Sequence, residues 1–555
     1  MDNIRLFLWL TLLAMGYLAY TAWIQDHPTA PATPVTSGQT TTPIPQDSLP
    51  NLDPVNSQAH AQPQASAPLE PPAATVRGQL IHVRTDVLDV LIDSQGGDLI
   101  RADLREYPVD KKTPDTVVRL LNDAASELWV FQTGLRSATG GAEPNHTATF
   151  RTANNDYTLA DGQNELVVSL DWVGEGPVSA RKVYTFRRGQ YGIDLTLSVQ
   201  PTAGGSWRGA PYAQMVRVHN PPKRSYTSVD SYSFTGPVLF NGETKEKLDF
   251  ANIAQTPIEK SVKGGWFAAI EHHFLAAAVP PANDEVRYKA STLGSEFLLS
   301  ALGPVVESTA AMPLNYTFKL FVGPKLQDQL KAIGEKLDLT VDYGRLTLLA
   351  QPMFWLLSFV ERWVGNWGWA IIIVTMLIKL AFYKLTAMSN RSMAKMRRLA
   401  PRIKAMQETY KDDRSALSQK MMELYKREKV NPAAGCLPLV IQMPFFFSFY
   451  WVLIESVEMR QAPFMLWIND LSSRDPYFVV PLLMGVAMYI QSRLSPAPPD
   501  PMQARVMQIM PVVFSAMFML FPAGLVLYWL TNTLLSILQQ WRINTVVARE
   551  NVAAG

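Results

Sequence analysis

The chain is 555 residues long, with 50 Lys and Arg against 48 Asp and Glu, a net charge of +2 and a single cysteine, Cys436. That length predicts two or three domains rather than one. The near-neutral balance holds no acidic or basic excess that would suggest nucleic acid as a general partner, and one cysteine excludes an intramolecular disulfide even in an oxidising compartment.

Residues 4–24 form an apolar run of about the 20 residues that a helix needs to cross a bilayer. Tyr17, Tyr20 and Trp23 gather at its far end as an interfacial belt. The run predicts an uncleaved transmembrane anchor over 1–26 with Arg5 on the cytoplasmic side; removal as a signal peptide near Ala30 is the alternative. Residues 27–74 are rich in Pro, Thr, Ser, Ala and Gln. They cannot bury enough apolar area to offset their ordering entropy, and predict a disordered linker.

The pattern over 75–344 has period two. Ile193, Leu195, Leu197 and Val199 alternate with Asp194, Thr196 and Ser198, and Tyr316, Phe318, Leu320 and Val322 alternate with Thr317, Lys319 and a less polar Phe321. Turn signals recur at Gly96-Gly97, Arg188-Gly189, Gly204-Gly205 and Asn241-Gly242. Many short strands without long helical patterns predict an antiparallel β-sandwich, closed by a short helix over 327–339. On a flexible tether and without a catalytic constellation, this domain is expected to bind partners and to be mostly dispensable for the rest of the chain. The pair His272-His273 has only Glu271 beside it and predicts a surface or edge-strand position rather than a metal site.

Over 345–364, Leu346, Leu349, Met353, Leu356, Leu357 and Val360 recur at helical spacing among Trp355, Trp363, Trp367 and Trp369. This predicts an amphipathic helix lying in the membrane interface; a buried helix of the soluble domain is the alternative. An α-helical membrane core over 365–541 follows, with five spans at about 369–385, 437–457, 477–491, 506–521 and 523–540. Phe521-Pro522-Ala523-Gly524 is so short a turn that the last two are antiparallel neighbours. Residues 542–555 are a short tail.

Lys and Arg crowd the loop between the first two core spans, from Arg391 to Lys429, whereas the next loop has only Arg460 and Arg474. The positive-inside rule places the former in the cytoplasm. Six spans then put both termini in the cytoplasm and the sandwich outside. Residues 388–430 read as a helical hairpin broken at Asp412-Asp413-Arg414-Ser415, with Met396, Met406 and Met421 among its recurring apolar positions. Two readings stand: a hairpin packed on itself, or basic faces that meet anionic lipid or ribosomal RNA and methionines that contact varied apolar clients.

Lys379 lies inside the first core span. A charge at that depth costs about 3 kcal/mol even on lenient scales and needs a polar surrounding. Thr375, four residues earlier, shares its helical face. Gln442, Ser515, Thr531, Asn532 and Thr533 supply polar groups in or near later spans. The expectation is one hydrated cavity around Lys379, open toward the cytoplasm, from which Lys379 is about seven residues, or about 10 Å, removed. No Walker loop, nucleophile elbow or HExxH motif is present in the sequence, so nothing points to an enzyme or a cofactor.

Several segments in order resemble the YidC/Oxa/Alb family of membrane protein insertases in its Gram-negative form with a large periplasmic domain. They are GNWGWAIIIVTMLIK from Gly365, SMAKMRRLAPRI from Ser392, NPAAGCLPLVIQMP from Asn431, RQAPFMLWINDLSS from Arg460, DPYFVVPLLMG from Asp475 and FPAGLVLYW from Phe521. TDVLDVLIDSQGGDL from Thr85 extends the resemblance into the sandwich. The resemblance implies a hydrophilic groove open to cytoplasm and lipid, with its cation at Lys379, where many members have arginine, and its functional threonine at Thr375. The aromatic of the last span falls on Tyr528-Trp529, where the second position is more usually tyrosine. Gln442 and Asn532 complete the expected client-binding set. The implied partners are nascent membrane protein clients, the Sec translocon with its accessory subunits, the ribosome through the basic hairpin, and the lipid bilayer. The rival reading is a secondary transporter or channel using Lys379 for a solute or proton, against which the spans show no inverted repeat. A receptor or scaffold would leave Lys379 and the hairpin without a use.

Overall fold

The computed structural model describes Leu49 and residues 78–138, 143–174, 178–202, 204–221, 233–410, 413–428, 437–494 and 501–552. The expected anchor, the expected linker apart from Leu49, and Cys436 lie outside the described residues. Leu49 departs from the expected loose tether: it is buried against Ala210, Tyr212 and Leu302 of the sandwich.

From Leu80 to Pro324 the described chain is mostly strand, in one sheet of eleven strands and another of nine. In the first, Ser206–Val218 lies between Trp129–Ser137 and Glu296–Leu302, antiparallel to both. In the second, Leu314–Pro324 lies between Gly192–Pro201 and Phe274–Val279, again antiparallel. Leu80–Arg84 and Asp156–Thr158 form the one parallel pairing among the described strands. Period two explains the layering: Ile193, Leu195, Leu197 and Val199 are fully buried, while Asp194, Thr196 and Ser198 on the opposite face are half-buried. Gly189 and Gly242 turn the chain at φ +68° and +85°, where a side chain would be strained.

Phe321, which blurs the alternation in sequence, is buried because a helix covers its face. It pairs with Gly192, and a Cβ on Gly192 would come within 2.2 Å of Ile333 Cδ1. The two sheets are also joined by Lys182, whose Nζ donates to Thr133 O at 2.6 Å and to Gly96 O across the sandwich.

The described helices are α1 (Phe250–Gln255), α2 (Gln327–Ile333), α3 (Thr347–Val364), α4 (Trp367–Ala381), α5 (Tyr383–Thr409), α6 (Arg414–Arg427), α7 (Leu437–Glu455), α8 (Val479–Leu494), α9 (Pro501–Phe518) and α10 (Ala523–Val552). The closing helix is shorter than expected: α2 stops at Ile333, before Gly334, and a 3-10 turn over Leu337–Thr340 follows a left-handed Lys336. α3 buries Ala350, Met353, Phe354, Leu357 and Val360 against α4 and α7, and exposes Leu348, Trp355, Phe359 and Trp363. A surface face that apolar suits an interface helix. Gly365, at φ +65°, closes α3.

Two expectations about the spans change. The first is not straight: the chain bends by 65° at Phe382, between α4 and α5. Lys379 therefore sits within three residues of the bend. Past the expected end of the last, near Gln540, α10 continues as helix to Val552, so most of the expected tail is helical. Among the described residues no single helix is long and apolar enough to cross a membrane, although the bent α4–α5 pair meets both criteria. The helices nevertheless expose Leu380, Leu482, Val486, Ile509, Val512 and Leu538, an apolar surface that lipid rather than water accommodates.

The sandwich is more than tethered. One continuous buried cluster runs from its core through Leu330, Leu337 and Tyr343 to Leu357 on α3, Val374 on α4, Val452 on α7 and Val526 on α10.

Candidate functional site

α4 begins at an anchored cap. The Asn366 side chain accepts from Trp369 N at 3.2 Å, and its Nδ2 donates to Phe464 O at 3.0 Å. The helix packs against α10 along a face carrying Thr375 and Lys379, both buried. Thr375 Oγ1 donates to Ile371 O one turn back at 2.7 Å, so its hydroxyl proton is already engaged. α10 presents Tyr528, Asn532 and Ser536 at successive turns. α7 adds Gln442 and Phe445.

These helices meet around Lys379. Its Nζ donates to Ser536 Oγ at 2.7 Å; Ser536 Oγ donates to Asn532 O at 2.7 Å; Asn532 Nδ2 donates to Gln442 Oε1 at 3.2 Å. A chain of hydrogen bonds therefore links α4, α10 and α7. Thr375, Ile378, Lys379, Phe382, Gln442, Phe445, Tyr528 and Asn532 line the space left between them, about 10 Å³, close to what one water needs. Among the described residues no carboxylate lies within ion-pair distance of Lys379.

Thr375, Lys379, Gln442, Tyr528 and Asn532 thus converge as the sequence predicts. Trp529 does not join them: it packs edge-on against Phe446 at 4.9 Å between ring centres and beside Phe518 at 5.6 Å. Ser515 is used elsewhere, donating to Pro481 O at 2.9 Å to tie α9 to α8. Ser536 was missed. Its signal is the four-residue step from Asn532, which places it one turn further along the same stripe.

The basic hairpin is formed by α5 and α6, with Arg402 Nη1 on α5 and Glu428 Oε1 just past α6 at 3.1 Å. Met396, Met406 and Met421 lean against its buried centre of Leu399, Ile403 and Leu424. Among the hairpin's described side chains, Met388 and Met422 are exposed. The histidine pair is not on an edge strand: half-buried His272 turns the β-hairpin between Trp266–Glu271 and Phe274–Val279 at φ +45°, its Nε2 donates to Ile454 O at 2.9 Å, and His273 is buried. The end of α7 presses on this turn, and burial holds the His273 imidazole well below its ordinary range.

The family model for the YidC periplasmic domain matches residues 80–356, and that for the 60Kd inner membrane protein matches 359–550. The boundary between them falls within α3. The membrane protein insertase YidC of Thioalkalivibrio sulfidiphilus is 44% identical over 98% of this chain and 98% of its own length, and that of Nitrosococcus oceani is 42% identical over 99% and 100%. A solved structure, an active YidC insertase with its first transmembrane domain resolved, aligns over 84% of this chain and 94% of its own at a TM-score of 0.37 and 18% identity. Full-length identity above 40%, with both family models in order, places this chain in the family of YidC membrane protein insertases.

Proposed function

We propose that the chain is a membrane protein insertase and folding chaperone of the bacterial inner membrane, with its sandwich in the periplasm. The observation that carries this reading is Lys379: a buried cation on an otherwise apolar helix, hydrogen-bonded to Ser536, which Asn532 and Gln442 extend into a polar chain. A hydrophilic client segment must cross about 30 Å of hydrocarbon, where each unpaired backbone group costs several kcal/mol. Polar groups on α4, α7 and α10 shorten that path. The segment displaces the internal hydrogen bonds, and Lys379 attracts its acidic residues. Its apolar helix leaves along the exposed apolar flanks into lipid.

In this reading the chain spans the membrane six times, with the anchor, the bent α4–α5 pair, α7, α8, α9 and α10 as spans. Both termini and the α5–α6 hairpin are cytoplasmic. The groove residues are Thr375, Lys379, Gln442, Tyr528 and Asn532, joined by Ser536, with Trp529 stiffening α10 behind them. The basic hairpin meets the ribosome and incoming clients, and the Sec translocon is a further partner. The process breaks no covalent bond and needs no cofactor; the chain is not an enzyme. Reconstitution of the purified chain in liposomes tests this: a small client should be inserted without solute flux. Flux without insertion would favour a transporter, and neither would favour a scaffold.

A further inference from the structure

α7 has polar partners at both ends. Near its start, Gln442 accepts from Asn532. Its last residue, Glu455, is only 3% exposed: Oε1 accepts from Ser233 Oγ at 2.8 Å, and Oε2 lies 3.6 Å from the Nζ of Lys325, itself 2% exposed. Ser233 and Lys325 flank strands of the sandwich. The adjoining backbone is held from the same side. His272 reaches Ile454 O, and the hydroxyls of Tyr343 and Ser456 are 3.1 Å apart, with Gln327 Nε2 donating to Tyr343 at 2.8 Å.

A buried ion pair is a poor device for affinity, because well-packed apolar side chains of similar volume stabilise as well or better. What it adds is direction. In lipid, an apolar helix has little hydrophobic reason to prefer one axial or rotational setting against its neighbours. Gln442 and Glu455 are thirteen residues apart, about 20 Å along the axis and close to opposite faces at about 100° per residue. Fixing both sets the height and the rotation of α7 together.

We propose that Glu455 and Lys325 are positioning residues for the groove: the sandwich, through this ion pair, sets the register of α7 and so holds Gln442 against Asn532 beside Lys379. The periplasmic domain is then a part of the insertion site's frame. This rests on the insertase reading above.

Two double variants leave no orphaned charge. Lys325→Met with Glu455→Met replaces the pair by packing, and Lys325→Glu with Glu455→Lys reverses it. Each full-length variant is reconstituted in liposomes beside the native chain and given two clients, one with a hydrophilic segment to be translocated and one that is apolar throughout. The charge-free double should insert the apolar client at the native rate and the hydrophilic client at least fivefold more slowly, and the reversed pair should recover the latter to within twofold. A merely structural pair would slow both clients alike. Native rates for both clients in the charge-free double would overturn the proposal, as would equal slowing of both or failure of that variant to accumulate. Absence of insertion by the native chain would instead overturn the insertase reading itself.

Discussion

Lys379 is expected to act by charge rather than by a fixed hydrogen-bond geometry, and a substitution series separates the two. Its ammonium has one close side-chain partner, Ser536 at 2.7 Å, and no carboxylate near it among the described residues. A client carboxylate that replaced Ser536 at about 4 Å would attract it by about 4 kcal/mol at an effective dielectric of about 20. Withdrawing both groups from water offsets most of that, leaving about 1–2 kcal/mol, or about five- to thirtyfold in rate. Lys379→Ala should therefore slow insertion by that factor for clients whose translocated segment is acidic, and much less for neutral segments. Lys379→Glu should be worse, because it repels the same segment. Lys379→Arg should retain most activity, since both side chains are cationic. The assay is initial insertion rate into liposomes, normalised to reconstituted protein. Equal losses for Arg and Ala across all clients would refute the electrostatic argument.

Three further outcomes are expected. Photocrosslinkers at the exposed Met388 and Met422 should trap nascent clients, whereas those at Met396 and Met421 should report mainly the hairpin's own contacts; capture of the hairpin alone from all four positions would show that it is structural. Burial pushes the Glu458 carboxyl up to about 7 from 4.5, so the folded state holds its proton more tightly than the unfolded one. Stability from this group is complete below about pH 4.5 and is lost as pH rises through about 7, by at most about 3 kcal/mol. Thermal unfolding of the full chain should show that fall between pH 5 and 8, and Glu458→Gln should flatten it; an unchanged slope would remove Glu458 as its source. A Cβ on Gly368 would come within 2.0 Å of the Phe464 ring. Gly368→Ala should therefore lower stability by about 1–3 kcal/mol without changing client preference, and a variant as stable as native would mean that Phe464 gives way freely.

Much of this molecule was legible because its patterns are periodic. Period two over 193–199 and 316–322 named the sandwich's inner faces, and the exception at Phe321 marked the place where α2 crosses. The lone charge at Lys379 pointed to the meeting place of α4, α7 and α10, and polar residues four apart supply half of the lining there. The bend at Phe382 was not legible: no proline or glycine marks it, and the apolar run continues past it. Nor was the choice among methionines, since Met396 and Met388 both suit the apolar stripe and packing alone decides which is covered. Glu455 carried the same signal as Lys379, an acid inside a predicted span, yet its partners Lys325 and Ser233 are more than a hundred residues away in sequence. Only the tertiary structure joins them. The sequence pattern of a tethered sandwich did not announce the contacts that join it to α3, α4, α7 and α10.

The groove itself is tested most directly by contact. Phe445 lines the space beside Lys379 and can be replaced by a photoreactive phenylalanine of similar shape. With a client arrested during insertion, light should crosslink this position to the client's hydrophilic segment, and Lys379→Glu should reduce the yield for acidic segments. Crosslinks confined to α4 and α10, with the same client fully inserted, would mean that the segment crosses elsewhere and would contradict the account.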